Sequence, residues 1–180
     1  VESGRYPTKR VAGESLRVEA DVFKEGHDQT LAVLRWRRQG KLKWTELPMS
    51  HVDNDRWAAE LSFPETGRYE LGIIAWADDF LTWLHDFERR LDGGQTHLAA
   101  EIEEGRIILN NAAIRAATGR DSADAEAIEE LTTRLMQSEP AAVPRLMDNP
   151  EALALLARWP NRALATTRAG AQPSLPTAAA

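Results

Sequence analysis

Carboxylate pairs are the residues in this sequence whose type and spacing could support general acid and base chemistry. Asp78-Asp79 and the nearby Asp86-x-Glu88 lie in one short stretch, and a glycoside hydrolase needs two carboxyl groups beside the bond that it cleaves. The same stretch is predicted to be an edge strand, where charged residues prevent pairing with another sheet. We favour the protective interpretation and predict no catalytic residue in this chain.

Metal and cofactor sites are not predicted either. The sequence has no cysteine and no H-x-x-x-H spacing, and it contains no P-loop, G-x-S-x-G or dinucleotide-binding motif. Asp53-x-Asp55 lacks the glycine and the closing glutamate of a calcium loop. The four histidines lie in four separate segments, at His27, His51, His85 and His97.

Tryptophan is the unusual component, with six residues, five of them before position 84. Alternation along the strands groups Trp36, Trp57 and Trp83 with apolar neighbours, which predicts core positions. Trp76 falls on the face opposite Tyr69, Leu71 and Ile73, and Trp44 shares a face with Glu46 on a short strand. These two tryptophans are the best candidates for surface aromatics. Their two possible roles are to stack on a carbohydrate or to lie beneath helices or a partner.

Alternating hydrophobicity over residues 5–91 predicts six or seven short antiparallel strands separated by turns. This pattern indicates an α+β fold in which an immunoglobulin-like or fibronectin-like β-sandwich precedes the helices. The predicted strands run over Leu16 to Val22, Ala32 to Trp36, Lys43 to Leu47, Trp57 to Phe63 and Tyr69 to Ala77, and a last strand carries Leu81, Trp83 and Phe87.

Helical periodicity begins after residue 95 and predicts a small three-helix insertion. The first helix is predicted to be capped by Thr96 and to end at Gly119. Asp121 is predicted to cap the second helix. Asn149-Pro150-Glu151 combines a capping side chain, a proline at the first helical position and an acid in the first turn, so it predicts the start of the third.

The predicted domains are a β-sandwich over residues 1–93, a helical insertion over 94–160 and a linker or tail over 161–180. Gly93-Gly94 is interpreted as the hinge between the first two. Three short helices bury little surface alone. Ile107 and Ile108 also widen the apolar stripe of the first helix. We therefore expect the helices to pack on the sandwich or on another chain, with these two isoleucines at the interface.

The charge balance excludes several kinds of partner. Twenty-two basic residues against twenty-eight acidic ones give a net charge of −6, which disfavours binding to nucleic acid or to an anionic membrane. No apolar run approaches the ~18–20 residues that span a bilayer, and no signal peptide is seen. We predict a soluble protein in the cytoplasm.

An ordered series of short motifs resembles a known family. The series resembles the N-terminal domain of bacterial alpha-1,4-glucan:maltose-1-phosphate maltosyltransferases, which belong to the alpha-amylase-like glycoside hydrolases, and it covers residues 4–109. The motifs are Gly4-Arg5-Tyr6-Pro7-x-Lys9-Arg10, Gly26-His27-Asp28, Pro48-Met49, Asn54-Asp55-Arg56-Trp57, Gly67-Arg68-Tyr69 and Ala75-Trp76-x-Asp78-x-Phe80-x-Thr82-Trp83.

The resemblance implies a β-sandwich with a helical insertion, in a homodimeric enzyme that transfers maltosyl units from maltose 1-phosphate to alpha-glucan with retention of configuration. It implies that the aspartate nucleophile and the glutamate acid/base lie in a barrel after residue 180, so no catalytic residue carries over and the chain is expected to be an excised domain. We therefore predict a non-catalytic accessory domain whose partners are its own catalytic barrel and a second subunit. The alternative is an independent glucan-binding module that uses Trp44 or Trp76.

Overall fold

A computed structural model describes residues 13–24, 26–63 and 65–169. Within them the chain forms seven strands and five α-helices. The strands are β1 (Ser15–Asp21), β2 (Thr30–Arg38), β3 (Thr45–Pro48), β4 (Ser50–Asp53), β5 (Arg56–Ser62), β6 (Tyr69–Ala77) and β7 (Thr166–Ala169). The helices are α1 (Asp79–Asp92), α2 (Ala99–Thr118), α3 (Ser122–Gln137), α4 (Val143–Met147) and α5 (Pro150–Ala157), with a 3-10 turn at Pro140–Ala142.

The strands form two antiparallel sheets, one ordered β1-β5-β4 and the other β3-β2-β6-β7. Alternate side chains of both sheets meet in one apolar cluster, which makes the arrangement a sandwich and confirms the predicted α+β class. Its buried members are Ala32, Leu34, Met49, Trp57, Ala59, Leu61, Phe63 and Tyr69. The immunoglobulin-like topology stays a prediction.

The predicted last strand is wrong, since the segment with Leu81, Trp83 and Phe87 lies in helix α1. The buried residues of α1 are Phe80, Trp83, Leu84 and Phe87, and their i, i+3, i+4, i+7 spacing is that of one helix face. Trp83 and Phe87 are four residues apart, a spacing that fits both the alternation of a strand and one face of a helix. This ambiguity explains why a strand was predicted.

The predicted starts of α3 and α5 are confirmed. The side chain of Asp121 accepts a hydrogen bond from the amide of Asp124, and that of Asn149 accepts from the amides of Glu151 and Ala152. The start of α2 differs from the prediction, because Leu98 precedes the helix and no side chain caps it. The Thr96 cap is therefore wrong.

The end of α2 falls at Gly119 as predicted, but for a different reason. Gly119 has an ordinary φ of −72°, and Arg120 takes the left-handed φ of 65° instead. A Cβ on Gly119 would lie 2.6 Å from the ring of Trp159. Glycine is therefore needed for the close approach of this ring and not for a left-handed turn.

The helices are inserted between two neighbouring strands. Strand β7, in the segment predicted as a tail, pairs with β6 from Gly72↔Ala169 to Ala75↔Thr166. The described chain divides into a sandwich unit, residues 13–24, 30–63, 65–77 and 164–169, and a helical unit, residues 26–29 and 78–163. The Gly4 to Arg10 motif and residues 170–180 of the predicted tail lie outside the described residues.

Each unit has its own core. The cluster of the helical unit shares no residue with that of the sandwich, as expected for two parts that could fold separately. Across the described part of the chain, no helix combines the length and the apolar character needed to cross a membrane.

Candidate functional site

The outer face of the four-stranded sheet carries an aromatic ring in contact with two arginines. Alternation along β2 directs Ala32, Leu34 and Trp36 toward the inter-sheet core, so Arg35 and Arg37 lie on the opposite face. The guanidinium carbons of Arg35 and Arg37 lie 4.5 and 4.4 Å from the ring centroid of Trp44. We call Arg35, Arg37 and Trp44 the arginine–tryptophan cluster.

One of the two arginines in this cluster is paired with a carboxylate. Arg37 faces Glu70 across β2 and β6, and its Nε and Nη2 both lie 2.6 Å from a carboxylate oxygen of Glu70. Both side chains are only about a quarter exposed, so the pair is screened less than a surface ion pair.

The other arginine lies in a gap left by a glycine. Arg35 is opposite Gly72 in the register, and a Cβ on Gly72 would come within 3.0 Å of Arg35 Nε. The Nε atom is buried and has no hydrogen-bond partner among the described residues. Buried donors without a partner are uncommon in folded proteins.

The two predicted surface tryptophans differ. Trp44 is half-buried beneath the guanidinium groups. Trp76 is only 6 % exposed, which favours the predicted alternative that it is covered over a position on the surface. Trp57 is a buried member of the inter-sheet core and Trp36 packs against that core, which confirms their predicted core positions.

Helix α2 exposes an apolar stripe. Ile107 and Ile114 are 48 % and 63 % exposed, and a seven-residue separation places them on one side of a helix. The buried residues of α2 lie on the other side, at Gly105, Leu109, Ala112, Ala113 and Ala116. Ile108, by contrast, packs against the helical core. Sequence reasoning missed Ile114, although its distance of two turns from Ile107 was a usable signal.

The carboxylates near residue 78 have structural roles. Asp78 is 6 % exposed and caps α1 by accepting from the amide of Leu81 at 2.9 Å, while Asp79 accepts from Asn161 at 3.2 Å. Asp86 pairs with Arg89 on the same helix. The predicted protection of an edge strand is wrong, because these residues begin and line a helix.

A network of ion-pair and hydrogen-bond contacts connects α3 to the residues that follow α5. Asp124 accepts from Arg158 at 2.7 and 2.6 Å and from the indole of Trp159 at 2.6 Å. The hydrogen bonds from Arg158, followed by the one from Trp159, lower the pKa of Asp124 to about 2. Arg115 donates to the carbonyl of Trp159 at 2.9 Å, and burial lowers the pKa of Arg115.

Metal binding finds no support in the described ranges. No three histidines, aspartates or glutamates converge there as a metal ion would require. His51 contacts Trp57 edge-on, with ring centroids 5.4 Å apart, and its Nε2 lies against the carbonyl of Asn54.

Comparison with known proteins agrees with the family resemblance found in the sequence motifs. The family model described as alpha-1,4-glucan:maltose-1-phosphate maltosyltransferase, domain N/S, matches residues 1–173. The chain is 39 % identical over 169 residues to the protein of that enzyme name from Myxococcus xanthus, an alignment covering 92 % of this chain and 25 % of the relative. Identity to alpha-1,4-glucan:maltose-1-phosphate maltosyltransferase 1 of Streptomyces coelicolor is 37 % over 172 residues, an alignment that covers 93 % of this chain and 25 % of the relative.

A third relative, from Chlorobaculum tepidum and with the same enzyme name, is 38 % identical over 116 residues, which cover 64 % of this chain and 17 % of the relative. The chain thus spans a quarter or less of the length of these three relatives.

Proposed function

We propose a function from the following premise: this chain belongs to the domain N/S family of alpha-1,4-glucan:maltose-1-phosphate maltosyltransferases. In our proposal it is a non-catalytic accessory domain that joins two subunits and positions the catalytic barrel of a longer protein. Binding energy used in this way fixes the geometry of a distant reaction without contact with the substrate.

The observation that carries this proposal is the exposed stripe of α2. Ile107 and Ile114 are large aliphatic side chains directly opposite the buried face of their helix. Asn111 is also exposed between them. Interfaces between subunits are built from such apolar anchors with polar residues around them. A second copy of the same helix would bury both isoleucines in an isologous contact.

A non-catalytic role agrees with the use of the carboxylates. Asp78 and Asp79 are occupied in helix capping and in hydrogen bonding within the helical unit. A general acid or base needs a carboxyl group that reaches the substrate.

The parent reaction is part of the proposal. In it, the longer protein transfers maltosyl units from maltose 1-phosphate to alpha-glucan with retention, and the nucleophile and acid/base lie in the barrel. The cytoplasmic location stays a prediction that follows from this role.

Site-directed cross-linking tests the proposed contact, and the absence of native cysteine makes it specific. Ile114→Cys treated with a short bismaleimide is expected to give a covalent dimer in high yield. Ser62→Cys, at an exposed position of β5, is the matched control and is expected to stay largely monomeric. Equal and low cross-linking of the two variants would refute the α2 contact.

Independent glucan binding is the less supported alternative. Trp76 is buried, and two guanidinium groups lie over the ring of Trp44, so both rings have less surface available for stacking on a neutral sugar. Affinity electrophoresis in glycogen tests this alternative. Retardation that Trp44→Ala abolishes without unfolding the chain would establish it.

A further inference from the structure

We propose that the arginine–tryptophan cluster is a binding site for a phosphate group, with Arg35 as its main ligand. Because the relatives are named for a reaction of maltose 1-phosphate, the choice of a phosphorylated sugar as the source of this group rests on the proposed function. The site itself is argued from the contacts of the sandwich unit.

The arrangement of charge favours an anion over a neutral ligand. Both arginines contact the indole of Trp44, and cation–π contact fixes a guanidinium while leaving its in-plane N–H groups free to donate. Arg37 uses its donors on Glu70. Arg37 lies two residues from Arg35 along β2, and its contact with Glu70 shows how an oxyanion is bound on this face.

Within the part of the chain that the structure describes, Arg35 is the member of the cluster that lacks such a carboxylate contact. Its Nε is enclosed beside Gly72 and has no acceptor among the described residues, while the residue as a whole is partly exposed. In this proposal an external oxyanion therefore binds the terminal nitrogens, and Nε stays enclosed. Glycine at position 72 makes room for this placement, since a side chain there would displace Arg35.

Neighbouring charges favour phosphate over a single carboxylate. Lys41 and Lys43 are exposed in the loop between β2 and β3, immediately before Trp44. Glu46 faces Arg35 across the two strands and interacts with another group of the chain, so it reduces the local positive charge without removing it. A dianionic phosphate monoester gains from several cations, whereas a monoanionic carboxylate gains less.

The test follows the indole N–H signal of Trp44 by NMR during titration at constant ionic strength. The probes are inorganic phosphate, glucose 1-phosphate, glucose and acetate. We expect a saturable shift of the Trp44 signal with the two phosphates, several-fold stronger binding of glucose 1-phosphate than of inorganic phosphate, and no shift with glucose.

Variants assign the site to Arg35. Arg35→Gln is expected to weaken phosphate binding by about tenfold or more, the usual effect of losing a hydrogen bond to a charged group. Arg35→Lys keeps the charge but loses the planar fork, so we expect an intermediate loss. Arg38→Gln, in the same strand and half exposed, is the matched control and should bind normally. The other five indole signals report whether each variant is folded.

Several results would overturn the proposal. These are the absence of saturation, acetate binding as tight as phosphate, or unchanged binding in both Arg35 variants. If the two phosphates bind equally, the phosphate site stands and its assignment to a sugar phosphate fails. Success or failure here is independent of the accessory role, because the cross-linking of α2 does not involve this face.

Discussion

Asp124 shows how one side chain can hold several elements together. It lies in the first turn of α3, where an acid is favoured by the helix dipole, and it binds both Arg158 and Trp159 at the end of α5. Its hydrogen bonds were not predictable from the sequence, because the partners lie more than thirty residues apart and nothing in local periodicity links them.

The low pKa of Asp124 predicts a specific dependence of stability on pH. Since the folded-state pKa lies at about 2, below the ordinary 3.8, the charged form stabilises the fold above pH ~4 and the effect is lost as the pH falls through ~2. Asp124→Asn is expected to be less stable than the wild type near neutral pH, with a difference that shrinks in acid. Urea unfolding at several pH values measures this difference.

The control for this prediction is Asp148→Asn, since Asp148 is exposed. We expect it to unfold like the wild type at every pH. If the gap between Asp124→Asn and the wild type were the same at pH ~2 as at pH ~6, the ionised pair would not be the source of the stability.

At the scale of elements, local signals predicted most boundaries, but tertiary contacts decided several. The caps at Asp121 and Asn149 act through neighbouring amides and could be identified from the sequence. Helix α1 was mistaken for a strand because an alternating pattern continued into it. The roles of Gly105 and Gly119 depend on Trp83 and Trp159, which are distant from them in the sequence, so no sequence pattern identifies these roles.

Gly105 sets the distance between α1 and α2. A Cβ there would lie 2.3 Å from the ring of Trp83, whose indole donates to the carbonyl of Glu101 at 2.7 Å. Gly105→Ala is expected to destabilise the chain by about 1–3 kcal/mol through overpacking, although alanine is the better helix former. Chemical denaturation monitored by circular dichroism measures the change.

A double-mutant cycle identifies the cause. If Trp83 is the obstacle, Gly105→Ala should cost much less in a Trp83→Leu background, so the two changes would not be additive. Additive losses, or a Gly105→Ala variant that is more stable than the wild type, would contradict the proposed close approach.

At the scale of the molecule, an insertion explains how two cores coexist in one short chain. Strands β6 and β7 are antiparallel neighbours, and residues 78–163 connect them. The α+β class followed from the change in periodicity along the sequence. The return of the chain to the first sheet as β7 did not, because Thr166–Ala169 is a short segment of weak pattern.

Replacing residues 78–163 by Asn-Gly is expected to leave a folded sandwich. Ala75 pairs with Thr166, so continuing the register places residues 77 and 164 opposite each other, at the spacing of a two-residue turn. Circular dichroism of the shortened chain should show β-structure and cooperative unfolding. The same chain with Thr167→Pro, which removes a donor from β7, is expected to be less stable. A shortened chain without cooperative unfolding would mean that the sandwich needs the helices.

The accessory role proposed for the chain depends on whether the helix stripe brings two copies together. Sedimentation velocity over a range of micromolar concentrations should show reversible dimerisation of the wild type. Ile107→Glu with Ile114→Glu should sediment as a monomer, while Ala123→Glu with Ala127→Glu, two exposed changes on α3, should behave like the wild type. A wild-type chain that remains monomeric throughout, or a double isoleucine variant that dimerises as strongly, would contradict the account.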